Sequence, residues 1–289
     1  YIYRKVIYMK LDIIINKHLL IWHLLYQSSV SLEVHKLKQK LWMDYKKEYT
    51  CVHKDKEIIL KELNDFIPDD DTIYNMVETS LIFKKIKKET SSYRYTLLQI
   101  WDENKKKYMR HLDNILRYNV RDSYKICVVH PNLDVIETDF NTNIITIGKK
   151  ISMRDKDNFL TYLVYKIIKN DLNSIKTNER DFVDAVAELA LTNELYTRVT
   201  GESKYSLGKK NLRNIKEKIY PYWLMYLGVK ETDFQKYMIR DNIFFNVNDY
   251  EYDKHLSYLD LTSFISFLIR SKRKVLRTKT VSIENIEVL

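Results

Sequence analysis

Glycine and proline are scarce in this chain, at four and three residues in 289. With so few positions suited to a positive φ or a helix stop, a fold built on tight hairpins is excluded and long helices are expected. Nucleotide binding by a glycine-rich loop is excluded too, because no stretch clusters the glycines that let backbone amides close on a phosphate. The two cysteines are Cys51, in a polar helical stretch, and Cys127, inside a strand-like run. They imply no disulfide framework, so a reducing compartment, the cytoplasm, is expected. The most apolar stretch, Leu11 to Tyr26, is interrupted by Asp12, Lys17, His18 and His23, which argues for a buried core helix rather than a transmembrane segment. No serine stands in a Gly-x-Ser-x-Gly turn, so nucleophilic catalysis has no support. The chain opens on Tyr1 rather than Met, which is compatible with an upstream segment or a cleaved signal.

Positive charge is plentiful. The net charge is +10, the pI is near 9.2, and 23 tyrosines could add stacking surfaces. Such a balance attracts polyanions, although an AT-rich coding sequence enriches lysine, isoleucine, asparagine and tyrosine without any selection for nucleic acid. The basic clusters are Lys84–Lys88, Lys105–Lys107, Lys209 and Lys210 with Arg213, Lys216 and Lys218, and the tail Arg270–Lys279, in which Lys272, Arg273 and Lys274 form the strongest patch. Nucleic-acid binding through these lysines needs them gathered on one surface.

The length accommodates one large domain or two ordinary ones. From Tyr1 to about Tyr118 the spacing of apolar residues predicts helices, with breaks at Pro68–Asp71 and Thr90–Ser92 and a long helix from Tyr93 to about Arg117. The β-branched runs Tyr124–His130, Asp134–Phe140 and Asn143–Gly148 predict a small antiparallel sheet. Helices follow over Arg154–Leu172, Glu179–Thr200 with Gly201 as its stop, and Lys209–Leu227 with a break or kink at Pro221 and Gly228 as its stop. The expected fold is α+β and mainly helical, divided as an N-terminal helical region 1–120 and a C-terminal domain 121–289.

Strands that lead into the helix holding Asn158–Lys169, followed by a helix with an acid about twenty residues on, form a pattern that resembles the core of a gluzincin-type zinc peptidase from about Tyr124 to Gly228. In that family the helix carries His-Glu-x-x-His and the third ligand is the downstream glutamate. Here Tyr165, Lys166 and Lys169 stand at the polar places and Glu188 at the position of the third ligand. Two neutral imidazoles and a carboxylate are what zinc hydrolysis requires. Tyr, Lys and Lys supply none of them. The resemblance therefore implies a zincin-like C-terminal domain with a degenerate site, no cofactor and no bound metal, in which Glu188 or Asp184 pairs with one of the lysines.

The histidines form no alternative metal site. His18 and His23 are five apart and do not share a helix face, while His35, His53, His111, His130 and His255 stand alone. The acidic loops Asp69–Asp71 and Asp249–Asp253 read as solvated. The functional expectation is a pseudo-peptidase that binds a peptide or protein partner, an active homologous peptidase among the possibilities. Its groove would lie beside an edge strand formed by Asn143, Ile144, Ile145, Thr146 and Ile147. The alternatives are a nucleic-acid-binding helical protein and a metallopeptidase with ligands of another kind.

Overall fold

The computed structural model describes residues 9–27, 30–202, 210–246 and 250–282. Lys209 and Asp249, within two of the clusters above, lie outside them. The chain is mainly helical with a small mixed sheet, and no described helix is long and apolar enough to cross a membrane. It packs as two compact units that interleave along the sequence rather than dividing at residue 120. One takes Met9–Asn104 with Arg121–Arg154, and the other takes Lys105–Val120 with the chain from Asp155 onward.

The first unit is built around a four-stranded sheet in the order β1-β2-β4-β3. Its strands are β1 (Lys10–Ile14), β2 (Ser123–Val128), β3 (Val135–Asp139) and β4 (Ile144–Gly148). The expectation of an antiparallel sheet is corrected. β1 runs parallel to β2, β2 parallel to β4, and only β3 is antiparallel. β1 falls in the stretch read as one core helix. That stretch divides into strand Lys10–Ile14 and helix α1 (Lys17–Tyr26), and Asn16 makes the division. Its Oδ1 accepts from Leu19 N at 2.8 Å, which caps the helix, while its Nδ2 donates to Leu63 O at 2.6 Å. Seven consecutive residues of α1, Leu19 to Leu25, are buried, each large aliphatic one contributing about 1.5–3 kcal/mol. With α2 (Leu32–Asp44), α3 (Lys46–Glu62) and α4 (Thr72–Thr79), α1 forms a core that includes Cys127, Val129 and Ile144 from the sheet.

Helix α5 (Leu81–Leu116) supplies residues to both units and runs without a stop through Thr90–Ser92. Thr90 Oγ1 and Ser91 Oγ donate to the carbonyls of Ile86 and Lys87, both at 2.8 Å. Hydroxyls satisfied four residues back leave the helical ladder intact. The β3–β4 turn is local chemistry: Asp139 Oδ1 accepts from Asn141 N and Thr142 N at 2.7 and 3.0 Å, and Asn143 takes a φ of 59°, which asparagine tolerates. Gly148 closes β4 because a Cβ there would lie 2.5 Å from Val129 Cγ2 and 2.7 Å from His130 O.

The second unit holds α6 (Lys156–Leu172), α7 (Arg180–Ala187), a π-helical segment Glu188–Leu195, α8 (Tyr196–Thr200), α9 (Arg213–Tyr226), α10 (Phe234–Asp241), β5 (Ile243–Phe245), α11 (Leu261–Arg270), α12 (Lys272–Leu276) and β6 (Thr280–Ser282). β5 and β6 pair antiparallel. Gly201 and Gly228, with φ of 76° and 78°, follow the ends of α8 and α9 as expected of C-terminal caps. The break expected at Pro221 does not occur. Proline inside a helix costs about 3 kcal/mol, and here burial of Ile219, Tyr220 and every residue from Tyr222 to Tyr226 outweighs it.

Candidate functional site

In the helical unit, α6 brings Tyr165 and Lys169 towards the acids of α7 and the π segment, while Lys166 lies against a ring of its own helix. Tyr162 and Tyr165 stack with centroids 6.0 Å apart, Lys166 Nζ lies 5.2 Å over the Tyr162 ring, and Lys169 Nζ lies 5.8 Å over the Tyr165 ring. Burial, then the charges of Glu188 and Asp184, raises the Tyr165 hydroxyl above its ordinary pKa, so it stays protonated. Lys169 Nζ donates to Asp184 Oδ2 at 2.8 Å, which is one of the two pairings expected of the acids. Glu188 does not pair with Lys166 or Lys169. It is 4 % exposed and accepts from Lys216 Nζ of α9 at 3.0 Å. That partner lies 28 residues downstream, beyond the reach of a reading by local spacing. Lys216 is itself fully buried, and burial lowers its pKa against the opposing pull of Glu188.

These residues do not fit a zinc ion. Glu188 is engaged in an ion pair with Lys216 and Asp184 already holds the Lys169 ammonium, so a dication at these acids would have to displace two cations. Among the described residues, no group of three or more His, Cys, Asp or Glu side chains is placed to hold a metal.

The π segment carries a second buried acid that spacing did not single out. Glu194 accepts from Arg198 Nε at 2.7 Å and from Arg240 at 2.9 Å; Arg240 also donates to both oxygens of Asp241, and Tyr220 donates to Asp241 Oδ2 at 2.5 Å. Desolvation works to lower the Arg240 pKa, but the hydrogen bonds that Arg240 donates to Asp241 and the charges of Glu194 and Asp241 outweigh it and raise it. π turns concentrate at functional sites. This one brings two acids into the unit and binds each to cations from other helices.

In the sheet unit, the expected edge strand is corrected. β4 lies between β2, which pairs with Ile145–Ile147, and β3, which pairs with Ile144–Gly148, so it is an internal strand, and Asn143 belongs to the turn before it. The edge beside β4 is β3. Its free groups follow from the register. Val129 N donates to Ile147 O at 2.8 Å, so the backbone of Ile147 faces β2, and its opposite residue Ile136 faces away from β4. By the same alternation Thr138 faces outward, while Val135, Glu137 and Asp139 face β4. Among the described residues no strand pairs with this outer side. Beside it lies a cavity of about 220 Å³ lined by Lys56, Glu57 and Leu60 of α3, by Glu137, Thr138 and Asp139 of β3, and by Thr146.

Glu137 is shared. Lys56 Nζ sits 2.6 Å and His23 Nε2 3.4 Å from its Oε1. Proximity to a carboxylate would favour a charged imidazole, but His23 is fully buried and Lys56 repels a second cation, which together hold its pKa down at about 3. We take the ring as neutral, because burial is its dominant influence and neither nitrogen makes a hydrogen bond. A folded pKa below the ordinary 6.5 means that the unfolded chain binds the proton first. Stability should therefore fall as pH drops from about 6.5 towards 3, by at most about 1.4 kcal/mol per pH unit from this residue. Urea unfolding across that range should show the slope, and a His23→Phe variant should reduce it; an unchanged slope in the variant would remove His23 as its source.

The remaining expectations separate in the same way. In the basic patch, Lys272 opens α12 and its Nζ lies 2.7 Å from Glu179 Oε2, while Lys274 lies 3.8 Å from Glu251. His130, read as solitary, has its Nε2 2.8 Å from Glu89. Cys127 lies in β2 and is buried, and burial pushes its thiol up to about 12. Within the acidic loop before α4, Asp70 Oδ1 accepts from Thr72 N at 2.9 Å.

Comparison with known proteins gives no family. No protein-family model, no curated protein and no solved structure matches the chain.

Proposed function

We propose that the chain is a peptidase-like protein without a catalytic zinc site that binds an extended segment of a peptide or protein partner along β3. The observation that carries this reading is the outer edge of β3, where the N–H and C=O groups of Ile136 and Thr138 face away from β4. A segment laid 4.7–4.9 Å from β3 would meet those groups with its own backbone. The adjoining cavity holds Glu57, Glu137 and Asp139 against Lys56, so a lysine or arginine of the segment would find an excess of negative charge. The resemblance to gluzincins supplies the idea of a groove beside a sheet edge, and an active homologous peptidase is one partner that could offer such a segment.

The test removes one outward donor. Proline is tolerated on an edge strand when its nitrogen faces away from the ladder, so Thr138→Pro should preserve folding and weaken binding to arrayed peptides with arginine at alternate positions by about tenfold or more. Thr138→Val, which keeps the N–H, should bind as the parent does. Equal binding by all three proteins would refute strand addition. The same preparation should contain no stoichiometric zinc and show no chelator-sensitive proteolysis; one zinc per chain would instead favour the metallopeptidase reading. Reversing charge at Lys272, Arg273 and Lys274 should leave peptide binding unchanged, whereas a large loss with a shallower salt dependence would favour nucleic acid.

A further inference from the structure

The corner between α2 and α3 exposes apolar side chains beside a concentration of lysines. Met43 is 80 % exposed and Trp42 46 %. The indole is held in place: its ring meets Tyr49 edge-on at 5.6 Å, and Lys46 Nζ lies 5.3 Å over it. Next to it, one side of α3 lines an open trough of about 470 Å³ with Lys46, Lys47, Thr50, Cys51 and Lys54. Positions four apart stack along a helix, so Lys46, Thr50 and Lys54 form one row and Lys47 and Cys51 the next. From Leu32 to Lys54 the cations are six lysines and no arginine, against Glu33, Asp44 and Glu48.

We propose that this corner docks the protein onto an anionic lipid surface, with Trp42 and Met43 entering the headgroup boundary and Lys46, Lys47 and Lys54 facing the lipid charges. Apolar residues at an apex with lysines around them suit an interface that is apolar below and negative above, and tryptophan favours that boundary. An acidic peptide would need hydrogen-bonding groups. The trough offers its lysine ammoniums and the uncapped first-turn amides of α3, but a hydrophilic acidic segment would leave Trp42 and Met43 in water, whereas the lipid boundary covers them. A nucleic acid strand would use several stacking rings and forked guanidinium contacts, and here there is a single exposed indole and no arginine.

The other three tryptophans, Trp22, Trp101 and Trp223, are buried, so fluorescence quenching reports on Trp42. The full chain should sediment with vesicles of phosphatidylcholine containing about one-third phosphatidylserine but not with phosphatidylcholine alone. Bromine atoms on the upper acyl chain should quench its emission. Lys46→Glu with Lys47→Glu, an exposed pair whose folding is checked by circular dichroism, should weaken sedimentation by about tenfold or more. Trp42→Phe should keep most of the binding and lose the quenching. Absence of binding to the anionic vesicles, binding without quenching, or an undiminished affinity in the double variant would each overturn the proposal. So would a preference of the same lysines for a single-stranded oligonucleotide, or self-association lost on Met43→Ser.

Discussion

Replacing Glu188 by leucine should destabilise the helical unit by about 3 kcal/mol or more. The change removes the carboxylate to which a fully buried ammonium donates. Adding Lys216→Met should recover most of the loss, because two apolar side chains of similar size need no mutual neutralisation. In the single variant Lys216 should fall further below its ordinary pKa, so the folded state holds fewer protons than the unfolded one. Its deficit should therefore shrink as pH rises towards that of free lysine. Urea unfolding at neutral and alkaline pH measures both effects. A deficit below about 0.5 kcal/mol, or a double variant no better than the single one, would mean that the ion pair is not what secures this part of the fold.

Arg240→Met should cost about 2–4 kcal/mol at neutral pH by withdrawing the cation shared by Glu194 and Asp241. The pH dependence should have the opposite sign. Carboxylates that lose this cation, while Glu194 keeps Arg198 and Asp241 keeps Tyr220, should have raised pKa values, so the folded state takes up protons first and the deficit narrows as pH falls. Thermal unfolding at several pH values tests this. Deficits that widen in acid would show that packing of the Arg240 stem, rather than charge, dominates.

Much of the local structure was legible in the sequence. β3 and β4 fall within the β-branched runs read for them and β2 overlaps its own, Gly201 and Gly228 follow helix ends, and Asp70 accepts from the first amide of the helix after Pro68. Each depends on neighbours within a few residues. What could not be read depends on distant partners. β1 was hidden because Leu11–Ile15 is too short an apolar run for periods of 2 and 3.6 to be told apart, and it reads together with α1 across Asn16–His18. Without β1 the sheet could not be recognised as mixed, nor β4 as internal. The pattern around Tyr165 and Glu188 pointed to the right neighbourhood of acids and lysines but not to its pairing, since Lys216 belongs to a third helix. The π segment has no counterpart in the spacing of Glu179–Thr200.

The parallel pairing of Lys10–Ile14 with Ser123–Ile126 and Cys127 constrains how the chain can be made. During synthesis β1 must wait for its neighbour β2 while more than one hundred residues are added, an interval of roughly 5–20 s at ribosomal rates. Throughout that interval α1, buried along most of its length in the finished protein, has α2, α3 and α4 to shelter it but no sheet beneath. Folding from the amino terminus forward is therefore closed to this unit. Newly made protein should depend on chaperones until β4 emerges, and nascent chains arrested before residue 148 should be far more sensitive to protease than those arrested after it.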